Sequence, residues 1–191
     1  MPRLIQLLIP EIDRRWIPLL LKSTALGSLI AGAYGVLHDQ VTFTISPEYF
    51  TKFKFDQFAW AGSENEPARW FVAKIGFLAT WWVGGIAGWA LGRVAVSCGR
   101  KRPGNGPVLT KTVIWRFWII LAVAAVSGVV GFVGSKLSPP HAWRGWILDL
   151  GVSDVEAFGT VGQIHNFGYF GAVAGLIVAG LTLRRQLLRP A

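Results

Sequence analysis

Four long apolar runs, separated by three polar stretches, dominate the pattern of hydrophobic and polar positions along this chain. The runs occupy residues 16–37, 71–96, 113–133 and 167–183. A helix that crosses the hydrocarbon layer of a bilayer needs roughly 20 mostly apolar residues, and each run is close to that length or longer. The pattern therefore predicts an all-α membrane protein, a four-transmembrane-helix bundle that forms one integral membrane domain over residues 1–191.

The fourth run is the shortest, and the helix that contains it could begin earlier in the sequence. Ser153 and Glu156 have the spacing of a capping box, in which a hydroxyl and a carboxylate satisfy the free N–H groups of a helix start. A helix that began there would either project well beyond the bilayer or break at Gly159 or Gly162.

Small residues recur at four-residue spacing within all four runs. They are Gly27, Ala31 and Gly35; Gly84, Gly88 and Gly92; Ser127 and Gly131; and Gly171, Gly175 and Ala179. Because lipid is as apolar as a helix surface, helices in a membrane associate through close backbone approach, which small residues permit. The spacing predicts a compact bundle, and it leaves open whether some of these faces form a homo-oligomer instead.

The loop after the first run, residues 38–70, carries a different periodicity. Val41, Phe43 and Ile45 alternate with threonines, and Phe53 and Phe55 alternate with lysines. Alternation with a period of two is typical of a strand that is buried on one face. We therefore expect a small strand-containing loop, such as a hairpin, over the outer mouth of the bundle.

The loop before the last run, residues 134–166, contains apolar residues at helical spacing. Trp143, Trp146, Ile147 and Leu150 follow the i, i+3, i+4, i+7 pattern. The tryptophans favour an amphipathic helix that lies flat in the outer membrane interface. A short helix packed on the first loop is the alternative interpretation.

The distribution of charged residues predicts how the chain is oriented in the membrane. The net charge is +9, and most of the 19 lysines and arginines fall at every second segment boundary, beginning with the N-terminus. Most of the 10 acidic residues fall at the other boundaries. This distribution predicts both termini in the cytoplasm, as in a bacterial inner-membrane protein, with lipid rather than nucleic acid as the partner of the basic residues.

The first run allows one other interpretation, in which it is a signal peptide. Ala31-Gly32-Ala33 resembles a signal-peptidase site, and cleavage there would remove residues 1–33 and leave three helices. The apolar run continues to Leu37, and the segment before it carries acids, so the pattern favours an uncleaved helix. Cys98 is the one cysteine, which excludes an intrachain disulfide.

The three histidines, His38, His141 and His165, all fall on the predicted outer side. His38 and Asp39 follow the first run, and His165 precedes the fourth, so these residues should lie at the same depth. With Glu48 they could bind a divalent transition metal ion. The chain has no HxxH, HExxH or CxxC spacing, however, so the pattern favours a structural polar cap that joins His38, Asp39 and the fourth helix.

No sequence motif indicates catalysis. There is no GxSxG nucleophile motif and no phosphate-binding fingerprint, and the four runs contain no Asp or Glu. We therefore expect a non-enzymatic integral membrane protein whose extracytoplasmic cap binds a membrane protein partner or assembles into a complex. The alternative is a membrane enzyme or metal-handling protein that uses the outer His and carboxylate site.

Overall fold

The computed structural model describes residues 12–63, 65–99, 106–137 and 143–189. Within these described residues, six helices form the framework. They are α1 (Ile17–Ile45), α2 (Ala68–Gly99), α3 (Gly106–Trp115), α4 (Phe117–Leu137), α5 (Arg144–Asp149) and α6 (Val155–Leu188). A 3-10 turn, Arg14–Trp16, precedes α1. Single helical turns also occur between α1 and α2.

Four stretches of the described residues are long and apolar enough to cross a membrane. They are Arg14–Ile45, Ala68–Cys98, Pro107–Leu137 and Val155–Leu188. Each contains one of the four runs predicted from hydropathy, and each is longer than its run. The third stretch consists of α3 and α4, which meet at Arg116. This arrangement is that of an all-helical integral membrane protein.

The start of α6 lies close to the predicted capping box but uses the neighbouring residue. Asp154 is the N-cap, and its Oδ1 accepts a hydrogen bond of 2.9 Å from the backbone N–H of Ala157. Aspartate at this position satisfies one of the free donors of the first turn and places negative charge at the positive end of the helix dipole. Because α6 begins at Val155, His165 lies inside a helix rather than in a loop.

The prediction of strands after the first run is wrong. Residues 41–45 form the last turns of α1, and helical turns follow at Pro47–Tyr49, Phe50–Lys54 and Phe55–Gln57, the second of them π-helical. The Thr42 hydroxyl donates 3.2 Å to the carbonyl of His38 one turn earlier, a bond available to threonine in a helix. Alternation over five residues is too short a signal to exclude this conformation.

The helix predicted around Trp143–Leu150 is present as α5. Its Ile147 is fully buried in an apolar cluster with Tyr49 and Phe50, while the Trp146 ring meets Phe53 with centroids 5.3 Å apart. The helix therefore packs on the segment that follows α1, which was the alternative interpretation of its sequence. We call residues 46–67 and 143–154, as far as they are described, the cap.

The bundle is built from two antiparallel helix pairs, α1 with α2 and α4 with α6. Glycines allow the backbones of the first pair to touch. A Cβ built on Gly27 would fall on the carbonyl oxygen of Gly84, and one built on Gly84 would fall on the carbonyl oxygen of Gly27. The predicted small-residue faces on these two helices therefore lie against each other.

The second pair uses its small residues in the same way. A Cβ on Gly131 would lie 2.7 Å from the carbonyl oxygen of Gln163, and one on Gly175 would lie 2.8 Å from the Cα of Ile120. The end of the bundle opposite the cap carries Arg14, Arg93, Arg116 and Arg184. We call it the basic end.

Candidate metal centre

The helices carry His38, Asp39 and His165 to the cap end of the bundle. At about 1.5 Å rise per residue, His38 lies about 32 Å along α1 from Ile17, and His165 lies about 29 Å along α6 from Arg184. The hydrocarbon layer is about 30 Å thick. With the arginines of the basic end at one surface, these residues fall at the opposite edge of that layer, below the cap.

The structure brings the three side chains together. One ligand atom from each of His38, Asp39 and His165 lies within 4.8 Å of the others. His165 Nε2 lies 3.2 Å from Asp39 Oδ1, and the two imidazole rings meet edge to face with centroids 4.8 Å apart. The proximity expected from the two helix boundaries is therefore observed, across 126 residues of sequence.

The orientation of the His165 ring fixes where its protons can be. Nδ1 lies 2.9 Å from the carbonyl oxygen of Val161, and because a carbonyl only accepts, Nδ1–H must donate. Nε2 then faces Asp39 Oδ1 either with a second proton or with a lone pair. Two lone pairs 3.2 Å apart would repel. A proton shared with the carboxylate, or a cation, must therefore lie between Nε2 and Oδ1.

The same geometry fits a metal ligand. A metal-bound histidine commonly donates its other ring N–H to a carbonyl or carboxylate, which holds the ring in place. Two ligand atoms about 2.1 Å from a tetrahedral ion are about 3.4 Å from each other. The separation of Nε2 and Oδ1, 3.2 Å, is close to that value.

Burial makes a partner for these groups necessary. Asp39 is 5% exposed and His165 is 4% exposed. An ionised carboxylate this far from water is strongly destabilising unless it is paired. The described residues give Asp39 one close cationic partner, His165 in its protonated form.

Three tyrosines surround the cluster. The Tyr49 ring stacks on His165 with centroids 5.1 Å apart, the Tyr34 ring stacks on His38 at 5.6 Å, and Tyr169 meets His165 edge-on at 6.1 Å. Burial raises the pKa of the Tyr49 phenol above its ordinary value, and the neighbouring Tyr169 and Asp39 raise it further, so this phenol stays neutral at physiological pH.

Lys54 approaches the cluster from the cap. Its Nζ lies 5.9 Å from the centre of the Tyr49 ring and 5.2 Å from that of Phe53. Burial lowers the pKa of its ammonium group, an effect that the Asp39 carboxylate opposes. Lys54 thus adds positive charge beside the buried carboxylate without forming a direct ion pair among the described contacts.

Glu48 was predicted as a fourth ligand, but its side chain is used elsewhere. Its two carboxylate oxygens accept bonds from the N–H of Asp154 at 2.9 Å, from the N–H of Ser153 at 3.1 and 3.2 Å, and from the Ser153 hydroxyl at 2.9 Å. Each of these bonds lowers the pKa of Glu48. The bond from Asp154 lowers it most, followed by the backbone and then the hydroxyl bond from Ser153. An anion is stabilised at a helix N-terminus, so Glu48 ties the cap to the start of α6.

The sequence interpretation missed Tyr34 and Tyr169. Both stand four residues from a predicted ligand on the same helix, Tyr34 before His38 and Tyr169 after His165, and residues at that spacing share a helix face. His141 lies outside the described residues. Glu156 is exposed on the first turn of α6.

Two histidines and one carboxylate are a ligand set suited to zinc, iron(II) and related divalent ions. Three protein ligands also leave a coordination position for water or a substrate, as in catalytic rather than structural zinc sites. Comparisons with protein-family models, curated proteins and solved structures found no match to this chain. The assignment of chemistry therefore rests on the geometry of the site.

Proposed function

We propose that this integral membrane protein binds a divalent transition metal ion through His38, Asp39 and His165, at the cap end of the bundle. The observation that carries the proposal is the buried contact between His165 Nε2 and Asp39 Oδ1, with Nδ1–H already donated to Val161. A metal ion would occupy the position that a proton must otherwise take.

The competing account is that His38, Asp39 and His165 form a purely structural polar cluster. This account requires only the shared proton. The metal account is favoured by the second histidine, since His38 brings a third ligand atom within 4.8 Å. A buried ion pair alone is weak support for stability, because the cost of desolvation offsets most of the attraction. The His38 ring also packs against Tyr34 and His165, but a third ligand atom beside the pair is what binding of an ion would use.

An open coordination position would make the site one for metal handling or metal-dependent chemistry rather than a purely structural site. The positive-inside distribution of charge supports placing the cap on the extracytoplasmic side of a bacterial inner membrane, with both termini in the cytoplasm. The ion would then be taken from that side, at the edge of the hydrocarbon layer.

Metal analysis of the detergent-purified protein tests the proposal. After chelation and re-addition of Co²⁺ or Zn²⁺ at micromolar free concentration, we expect one ion per chain, with a tetrahedral or five-coordinate Co²⁺ absorption band. Ligand protons leave when a metal binds, so uptake should also release a proton and weaken at acidic pH.

Asp39→Asn separates the two accounts. An asparagine amide can donate to the neutral Nε2 of His165, so the packing survives while the anionic ligand is lost. The metal proposal predicts that binding falls at least tenfold and that the Co²⁺ band disappears. Asp56→Asn makes the same chemical change at an exposed cap position and should leave binding unchanged. Stoichiometric metal retained by Asp39→Asn, or no metal bound by the parent protein, would refute the proposal.

A second function is supported by exposed aromatic residues on the cap and immediately beside it. Trp60 is 74% exposed and Trp70, at the start of α2, is 66% exposed. Large aromatic side chains are enriched in protein interfaces, so the cap could bind a membrane protein partner or a second copy of the chain. Crosslinking in native membranes should then depend on Trp60, with Trp60→Ala removing the crosslinked species, and an unchanged crosslinking pattern would exclude it.

A further inference from the structure

A cleft of about 680 Å³ opens at the basic end, between the junction of α3 with α4 and the last turns of α6. We propose that this cleft binds the phosphate headgroup of an anionic lipid. The proposal concerns the opposite end of the bundle from the metal site and does not depend on it.

The described residues supply no negative charge to this cleft. Lys111 and Arg116 line it, together with the polar side chains of Thr112 and Gln186, and none of the lining residues is acidic. Neither basic side chain forms an ion pair with a described carboxylate. Two cations that converge on one cleft without an acid are a site for an anion, and a phosphate oxyanion is the anion most abundant at a membrane surface.

Arg116 has an incomplete set of hydrogen bonds. One of its terminal nitrogens donates to the Gln186 side-chain oxygen on α6. Its Nε is buried and has no partner among the described residues. A buried donor without an acceptor is destabilising, more so when it is charged, so an arginine in this state calls for a ligand that accepts hydrogen bonds.

The depth and the walls of the cleft favour a lipid over a free phosphate. Arg116 directly precedes α4, whose 21 residues span about 32 Å, so the guanidinium lies at one edge of the hydrocarbon layer. Trp115, Trp118 and Val108 form the apolar wall, and each is at least 60% exposed. Those side chains suit an acyl chain and the glycerol region, where tryptophan is enriched, and a free phosphate would leave them without a partner.

Thermal stability with added lipid tests the inference. The purified protein should be titrated with phosphatidylglycerol and, separately, with phosphatidylcholine of the same acyl chains. We expect phosphatidylglycerol to raise the melting temperature at concentrations about tenfold lower than phosphatidylcholine. In Lys111→Gln and Arg116→Gln this preference should fall several-fold, and in the double variant it should vanish. Lys111 is exposed, so its variant keeps the fold even if Arg116→Gln is less stable.

Arg185→Gln provides the matched control, because it removes one arginine from the same end without lining the cleft. It should keep the preference for phosphatidylglycerol. The inference is overturned if the double variant responds like the parent protein, or if Arg185→Gln loses the preference equally, which would indicate attraction to the whole basic end. Inorganic phosphate at millimolar concentration should give no comparable shift, and an equal shift would refute a lipid as the ligand.

Discussion

Replacing Gly84 with alanine is expected to destabilise the bundle strongly, although it adds one methyl group. The new Cβ would fall on the carbonyl oxygen of Gly27 and lie 2.8 Å from its carbonyl carbon, with the Ala31 side chain also in the way. Backbone atoms cannot rotate aside, so α1 and α2 would have to separate along their whole contact. The helices would then lose the close approach that holds them together in lipid.

The size of the effect follows from the packing. Adding a methyl to a well-packed interior costs about 1–3 kcal/mol, and a rigid backbone neighbour puts this site near the upper end. For a chain of this length, each kcal/mol lowers the melting temperature by roughly 2–4 °C, so we expect a drop of roughly 6–12 °C for Gly84→Ala. Thermal unfolding in detergent, followed by circular dichroism, measures this shift.

Gly180→Ala is the matched control, since nothing lies within 4 Å of a Cβ built at that position of α6. Alanine there should leave the melting temperature unchanged or raise it slightly, because alanine favours a helix more than glycine does. Equal melting temperatures for Gly84→Ala and the parent protein would mean that α1 and α2 do not touch through Gly27 and Gly84.

Three further outcomes are expected. Hydrogen bonds to Glu48 hold its pKa in the folded state below the unfolded value of about 4.5. These bonds therefore stabilise the fold at neutral pH, and this stabilisation is lost as the pH falls through the folded pKa. Acidification below about pH 4.5 should lower the melting temperature of Glu48→Gln less than that of the parent protein. A hydrogen bond of 3.0 Å joins the Ser135 and Thr160 hydroxyls between α4 and α6. Ser135→Ala should lower the unfolding free energy in an SDS titration by about 0.6 kcal/mol, and a larger loss would indicate a cavity as well. Reporter fusions at Gly104 should read cytoplasmic and those at Asn65 external, and the reverse would invert the proposed orientation.

The four spanning helices could be predicted from sequence because lipid imposes a simple rule. Backbone groups cannot be left unpaired in hydrocarbon, so a sufficiently long apolar run must be helical. The segment after Leu37 obeys no such rule, because it leaves the hydrocarbon layer. There, the alternation of Val41, Phe43 and Ile45 indicated a strand, whereas Thr42 bonds back to the preceding turn and continues the helix.

The convergence of the two histidines could also be predicted from the sequence, whereas the position of Glu48 could not. His38 and His165 converge because each stands where its helix crosses the same membrane surface, which is a consequence of helix length. Glu48 could not be placed in this way. Its position depends on the free N–H groups of Ser153 and Asp154, a local competition for a carboxylate that spacing along the chain does not reveal.

The construction of the bundle from two helix pairs has a consequence for assembly. The first pair, α1 with α2, carries His38 and Asp39, and the second, α4 with α6, carries His165. Helices can insert into a bilayer individually and associate afterwards, so neither half of the chain holds all three of the proposed metal ligands before the two halves dock. Under the proposed metal-binding function, two fragments that are divided in the segment between α2 and α3 and co-expressed would acquire metal only as a reconstituted pair. Metal content would then report correct assembly directly.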